Sequence, residues 1–178
     1  EELHASADEE EDTTEDDSST TQDANEQAGV TEDEIQTSVK AFTDLHRRAW
    51  HTPYITRMHK MKILKGYPDG SIKPDKAINR AELSKIATKI FGLKHAEETF
   101  TDIASHAWYS PYVGALQKAG AAWTTSTDYE PSEKVTRGEA VWVLLKASGI
   151  DIDTSNKPAK KLFPDLNRNH RYAKAITH

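Results

Sequence analysis

The sequence predicts an all-α protein, a helical repeat of helix–loop–helix modules behind a disordered acidic N-terminal segment. Three observations carry this expectation. An opening phrase recurs as Phe42-Thr43-Asp44-Leu45, Phe100-Thr101-Asp102-Ile103 and Phe163-Pro164-Asp165-Leu166, spaced 58 and then 63 residues apart. A closing phrase recurs as Ile78-Asn79-Arg80-Ala81-Glu82 and Val135-Thr136-Arg137-Gly138-Glu139, offset by 57. Between the phrases the apolar side chains fall at helical spacing. A period of this size marks a modular array. It argues against one asymmetric catalytic pocket and for a binding surface, which gains from duplication through avidity.

Residues 1–37 come first in the chain. They hold fifteen acidic side chains and no Lys or Arg, out of 29 acidic and 23 basic residues in all. The remainder therefore carries a surplus of nine positive charges, hidden within a net charge of −6. The run from Asp8 to Thr21 has almost nothing apolar. Like charges repel and little surface can be buried against chain entropy, so 1–37 reads as a disordered acidic linker. A second reading makes it an acidic arm that folds back on the basic body and competes with an anionic ligand.

The repeats follow as a first module at 38–97, a second at 98–160 and the start of a third at 161–178. In each complete module the first helix opens near a proline, Pro53 or Pro111, which the first turn tolerates. Tyr54, Ile55, Met58 and Met61 give it an apolar stripe to about Leu64. A turn follows in repeat 1, Gly66-Tyr67-Pro68-Asp69-Gly70-Ser71, with proline, aspartate and glycine in their turn roles. Repeat 2 has Thr124-Thr125-Ser126-Thr127-Asp128 there and must build its loop differently. The second helix carries Leu83, Ile86, Ala87, Ile90 and Phe91 on one face in repeat 1. Its repeat-2 counterpart, Val141 to Leu145, is apolar on most sides and is expected to lie deeper. Gly92 and Gly149 stand where helix C-terminal stops belong.

The start of each second helix holds the candidate chemistry. Asn79 with Glu82, and Thr136 with Glu139, are capping-box pairs, in which each end satisfies a backbone N–H of the other. Arg80 and Arg137 sit in the first turn, at the positive end of the helix dipole, where a cation is disfavoured. A negative partner is therefore expected: either the Asp of the opening phrase, Asp44 or Asp102, or an external anion at a helix N-terminus. The positive surplus favours the external anion. The repeated Trp50 and Trp108 suit either a core or a flat platform for a sugar ring.

Phe-x-Asp, an Ala-Trp element, an apolar helix, Gly-Tyr-Pro-Asp-Gly-Ser-Ile-x-Pro and then Ile-Asn-Arg-Ala-Glu-Leu together resemble the S-layer homology (SLH) module. The likeness covers residues 41 to 178. It implies modules in threes, arranged as a pseudo-threefold bundle that is incomplete here, and a non-catalytic anchor holding exported proteins on bacterial cell walls. It implies an anionic, usually pyruvylated, secondary cell-wall polysaccharide as ligand, or peptidoglycan in some members. Arg80 and Arg137 take the position of the groove arginine, with Asp44, Asp102, Trp50, Trp108 and the turn residue Asp69 as further ligand-binding candidates. Gly138 replaces the usual Ala, and repeat 2 lacks the Gly-Tyr-x-Asp-Gly turn.

Other classes fit less well. No Gly-x-Ser-x-Gly or phosphate-binding loop occurs, so no catalytic residues are assigned. His46, His51, His59, His95, His106 and His170 lack metal-ligand spacing, cysteine is absent, and neither a metal nor a cofactor is expected. The absence of cysteine also fits an exported, extracellular location. No stretch is apolar enough to span a membrane. The basic body would permit nucleic-acid binding, but its charges are spread out and no recognition motif appears. A lattice-forming surface protein is a further alternative, with self-assembly through parts outside this sequence. The chain has neither an initial Met nor a signal peptide and reads as a piece of a longer protein.

Overall fold

The computed structural model describes residues 17–152 and 172–173. The chain divides into two compact units, residues 1–74 and 75–178. The cut falls inside the first sequence repeat, whose second helix packs on the first helix of the second repeat.

In the first unit, α1 (Asp17–Ala28) and α2 (Glu32–Ala41) both pack on α3 (Thr52–Lys60). This corrects the expectation of disorder across 1–37, since 17–28 and 32–37 are helical; residues 1–16 lie outside the described part. Two signals were present in the sequence. Thr31 and Glu34 form a capping box, the Thr31 Oγ1 accepting from Glu34 N and the Glu34 carboxylate accepting from Thr31 N. Ile35 is 1% exposed and packs with Ala28, Val30 and Val39. Part of the negative charge that argued for disorder is met locally. Glu32, Asp33 and Glu34 occupy the first turn of α2, where the dipole favours anions. Glu32 pairs with Arg47 at 2.7 Å, and Glu34 pairs with Lys60.

The helix α3 starts with proline in its first turn, as expected, but ends at Lys60, after which Lys62 adopts φ 59°. Its buried face is not the predicted stripe. Tyr54 and Met61 are exposed, whereas Thr52, Pro53 and Thr56 are buried. Small side chains let the neighbouring helices approach closely, and Thr52 Oγ1 meets its bonding need by donating to His46 O at 2.6 Å. Beyond α3 the chain makes the glycine turn. Tyr67 N donates to Ser71 O, and Gly66 at φ 75° lies so close to the Phe42 ring that a Cβ would stand 2.6 Å from it. A left-handed backbone and this contact both require glycine.

The second unit comprises α4 (Arg80–Ile90), α5 (Ser110–Lys118) and α6 (Arg137–Ala147), with α4 packed on both α5 and α6. Leu83, Ala87, Phe100, Ile103, Val113, Leu116, Trp123, Tyr129 and Val143 form its core. Gly114 permits one close approach: a Cβ there would lie 2.0 Å from Ala96 O. Gly92 and Gly149 take positive φ after their helices, as expected. The apolar run of α6 is not buried more deeply than α4. Val143 and Ala147 are buried, while Trp142 and Leu144 are only partly covered. Among the described helices α6 packs mainly on α4, so its other sides have less to rest against. Tyr172 fills the space above Gly138, where a Cβ would come within 2.8 Å of its ring. That contact accounts for the glycine in place of alanine. Apart from Tyr172 and Ala173, both buried, the third repeat lies outside the described residues.

Candidate functional site

Among the described residues, the two aspartates of the opening phrase, Asp44 and Asp102, do the same job. Asp44 Oδ1 accepts from Ile72 N and Oδ2 from Lys73 N, each at 2.8 Å. Asp102 Oδ1 accepts from Tyr129 N at 2.8 Å and Oδ2 from Glu130 N at 2.6 Å. In each repeat the second clamped residue has a positive φ, 52° at Lys73 and 56° at Glu130, and precedes a proline. A non-glycine residue reaches this region at a cost, and two charge-assisted bonds hold it there. The two repeats thus share a pedestal that carries Lys73 in one and Glu130 in the other. The bonds from Ile72, then Lys73, hold the Asp44 carboxyl below its ordinary pKa against the effect of burial.

The loop leading to the pedestal differs, as its sequence requires. In repeat 1, Asp69 Oδ1 accepts from Ser71 N and Ser71 Oγ, its other oxygen pairs with Lys73 Nζ at 2.9 Å, and Thr43 N donates to Gly70 O. The Asp69 carboxyl is held well below the usual range, first by the Ser71 hydroxyl and then by Lys73. In repeat 2, hydroxyls replace glycines: Ser126 N donates to Thr124 Oγ1, Asp128 N to Ser126 Oγ, and Thr101 N to Thr127 O.

Both predicted capping boxes form. Asn79 Oδ1 accepts from Glu82 N and Glu82 from Asn79 N. Thr136 Oγ1 accepts from Glu139 N, and Glu139 from Thr136 N. The arginines beside them have different surroundings. The Arg80 side chain is 14% exposed; its Nη1 donates to Glu130 Oε2 at 2.5 Å and to Tyr129 O at 3.2 Å, and its Nη2 donates to Glu139 Oε1 at 2.8 Å. The guanidinium also lies 5.3 Å from the Trp123 ring centroid. Burial opposes its charge, but the bonds it donates to Glu139 and Glu130 outweigh that and raise the Arg80 pKa. Its carboxylate partners are Glu139 and Glu130; the aspartate of the opening phrase, weighed as the internal partner, is bonded elsewhere. Arg137 is exposed, and its guanidinium forms no hydrogen bond or ion pair among the described residues.

The repeated tryptophans stand outside the core. Trp50 is 78% and Trp108 is 54% exposed. Each meets its neighbour edge-on, Trp50 with His51 and Trp108 with Tyr109, and Lys85 Nζ lies 5.2 Å from the Trp108 ring centroid. The sequence reasoning missed Glu130, Tyr129, Trp123 and Lys85. A signal for the first two was available: Ile72-Lys73-Pro74 and Tyr129-Glu130-Pro131 share the offset of 57 found in the closing phrase.

The titrating groups set a pH window for the second unit. Glu139 is held below its ordinary pKa: burial pushes it up, but the bonds from Thr136 N and Arg80 outweigh that. Such a group stabilises the fold fully above its unfolded pKa, about 4.3, and that contribution fades as pH falls through the folded value. Burial pushes the Tyr129 phenol up. Its contribution is complete below its unfolded pKa, about 10, and fades as pH rises above that. Thermal unfolding measured across pH should therefore show a plateau from about 5 to about 10 with losses on both sides. A melting temperature still rising as pH falls below 4 would contradict the Glu139 assignment.

A duplicated helical module, closed by a capped helix start with an arginine and flanked by an exposed indole, defines a class of helical repeat modules. The sequence model of one family, described as the S-layer homology domain, matches residues 41–84 and 99–141. The chain carries two modules of the S-layer homology family. Among curated relatives, the S-layer protein sap of Bacillus anthracis is 31% identical over 71% of this chain and 16% of its own length. An uncharacterized cell wall amidase of Bacillus anthracis is 33% identical over 61% of this chain and 20% of its own length. Cell surface glycoprotein 1 of Acetivibrio thermocellus is 28% identical over 72% of this chain and 6% of its own length. The chain thus spans a fifth or less of the length of these relatives. Its modules place it at the bacterial cell wall or surface. They are anchoring modules of a non-catalytic kind. No helix among the described residues is long and apolar enough to cross a membrane.

Proposed function

We propose that the chain anchors a larger exported protein by binding an anionic secondary wall polysaccharide, a pyruvylated one before others. The observation that carries this reading is Arg137, an exposed guanidinium at the capped start of α6 with no carboxylate on it among the described residues. A guanidinium beside unpaired N–H groups of a helix N-terminus favours a carboxylate or phosphate ligand. The exposed indoles fit the same ligand. Trp108, with Lys85 over its ring, offers an apolar face for a sugar and a cation for an acidic substituent. Asp44, Asp102 and Asp69 contribute by holding the loops, and the capping pairs by holding the helix starts.

Retention on purified wall sacculi tests the reading. Arg137→Ala and Trp108→Ala should each weaken retention by about tenfold, the scale of one charge-assisted or stacking contact, with helicity unchanged. Removing the wall polysaccharide, or its pyruvyl groups, should abolish binding of the parent chain. Undiminished retention on bare peptidoglycan would move the reading to peptidoglycan. Retention on duplex DNA but not on walls would overturn it.

A further inference from the structure

Arg80, at the start of α4, is covered by the pedestal of the following repeat. Arg80 is met by Glu130, which its own left-handed backbone and the Asp102 clamp hold in position. The Glu130 side chain is itself 60% exposed, so this carboxylate reaches the guanidinium from the solvent side. Glu139, 7% exposed at its side chain, holds the inner edge of the same guanidinium. Behind the pair, Arg80 Nε is buried without a hydrogen-bond partner. The Glu130 carboxylate thus sits where an acidic substituent of a ligand would sit, with the chemistry such a substituent would have.

We propose that Glu130 is a built-in competitor for the Arg80 anion seat, so that in the resting chain Arg80 is closed to the wall polymer. This rests on the reading of the chain as a binder of anionic wall polysaccharide and adds what withholds Arg80 from it. Glu130 is a specificity-determining residue in this sense. A ligand must displace it to reach Nη1, whereas Glu139 stays with Nη2 as a structural partner. The exchange replaces one charge-assisted bond by another, so a polymer gains little at Arg80 while Glu130 is present.

The test uses the full chain and purified pyruvylated wall polysaccharide, with binding followed by calorimetry and by the side-chain NMR signals of the arginine Nε groups. Glu130→Gln removes the competing charge and leaves Glu139 in place. It should tighten binding about fivefold or more, and the double variant Glu130→Gln with Arg80→Gln should return to the parent affinity. In the parent chain the polymer should shift the Arg137 signal and leave that of Arg80 in place; in Glu130→Gln it should shift both. Parent-like affinity of a folded Glu130→Gln variant would overturn the proposal. So would an Arg80 signal that moves on titration of the parent chain, a readout that stands even if Glu130→Gln fails to fold. If the parent chain binds and loses binding on Arg137→Ala, the wall-polymer reading survives either of those results. If neither the parent chain nor any variant binds, that reading falls and this proposal falls with it.

Discussion

Tyr129→Ala should lower the stability of the second unit by about 4 kcal/mol, the cost of deleting a large aromatic from a packed core. Tyr129 is fully buried, with its ring centroid 4.6 Å from that of Trp123 and 5.0 Å from that of Phe100. Its hydroxyl shares a 2.6 Å hydrogen bond with Ser84 Oγ, so it ties the repeat-2 loop to α4. Its backbone N–H is one of the two amides held by Asp102, and its carbonyl accepts from Arg80. One residue therefore joins core, loop and helix start. Tyr129→Phe should cost only about 1 kcal/mol, because Ser84 Oγ still donates to Arg80 O. Urea unfolding of the three proteins measures both differences. Equal losses for the two variants would mean that the hydroxyl, and not the ring, holds the unit together.

Glu139→Ala should cost about 3 kcal/mol, which is more than a helix cap alone provides. The residue closes the capping box of α6 through one carboxylate oxygen and receives Arg80 Nη2 on the other. Its removal leaves a largely buried guanidinium with one inner bond missing, and an uncompensated buried charge costs far more than a lost surface pair. Glu82 provides the internal control. It closes the same box in α4, but its ion pair is with Lys76, whose side chain is 46% exposed. Glu82→Ala should cost about 1 kcal/mol. Matching losses at the two positions would show that the Arg80 bond adds nothing to the cap.

The helix starts were legible because their signals are local. Asn79 with Glu82 and Thr136 with Glu139 lie three residues apart, and a capping box needs nothing from the rest of the chain. Pro53 and Pro111 marked the starts of α3 and α5 for the same reason. The helix α2 was equally local, with Thr31 and Glu34 in the same pattern, but the charge count over residues 1–37 overrode it. That count missed the answering charges on Arg47 and Lys60, which lie 15 and 26 residues from their partners. The apolar stripe drawn on α3 failed differently. Periodicity ranks side chains by hydrophobicity, whereas the neighbours of α3 settled on its small residues, Thr52 and Thr56, and left Tyr54 and Met61 outside.

Taken alone, the sequence determined the repeat, the helix caps, the turn glycines and the positions at which an arginine begins a helix. Each of these depends on residues a few places apart or on comparison of one repeat with the next. Only the tertiary structure decided what Arg80 faces. It meets Glu130 and Glu139, 50 and 59 residues onward. The reason is that an ion pair depends on distance in space, and spacing along the chain does not encode which carboxylate the fold will bring within reach.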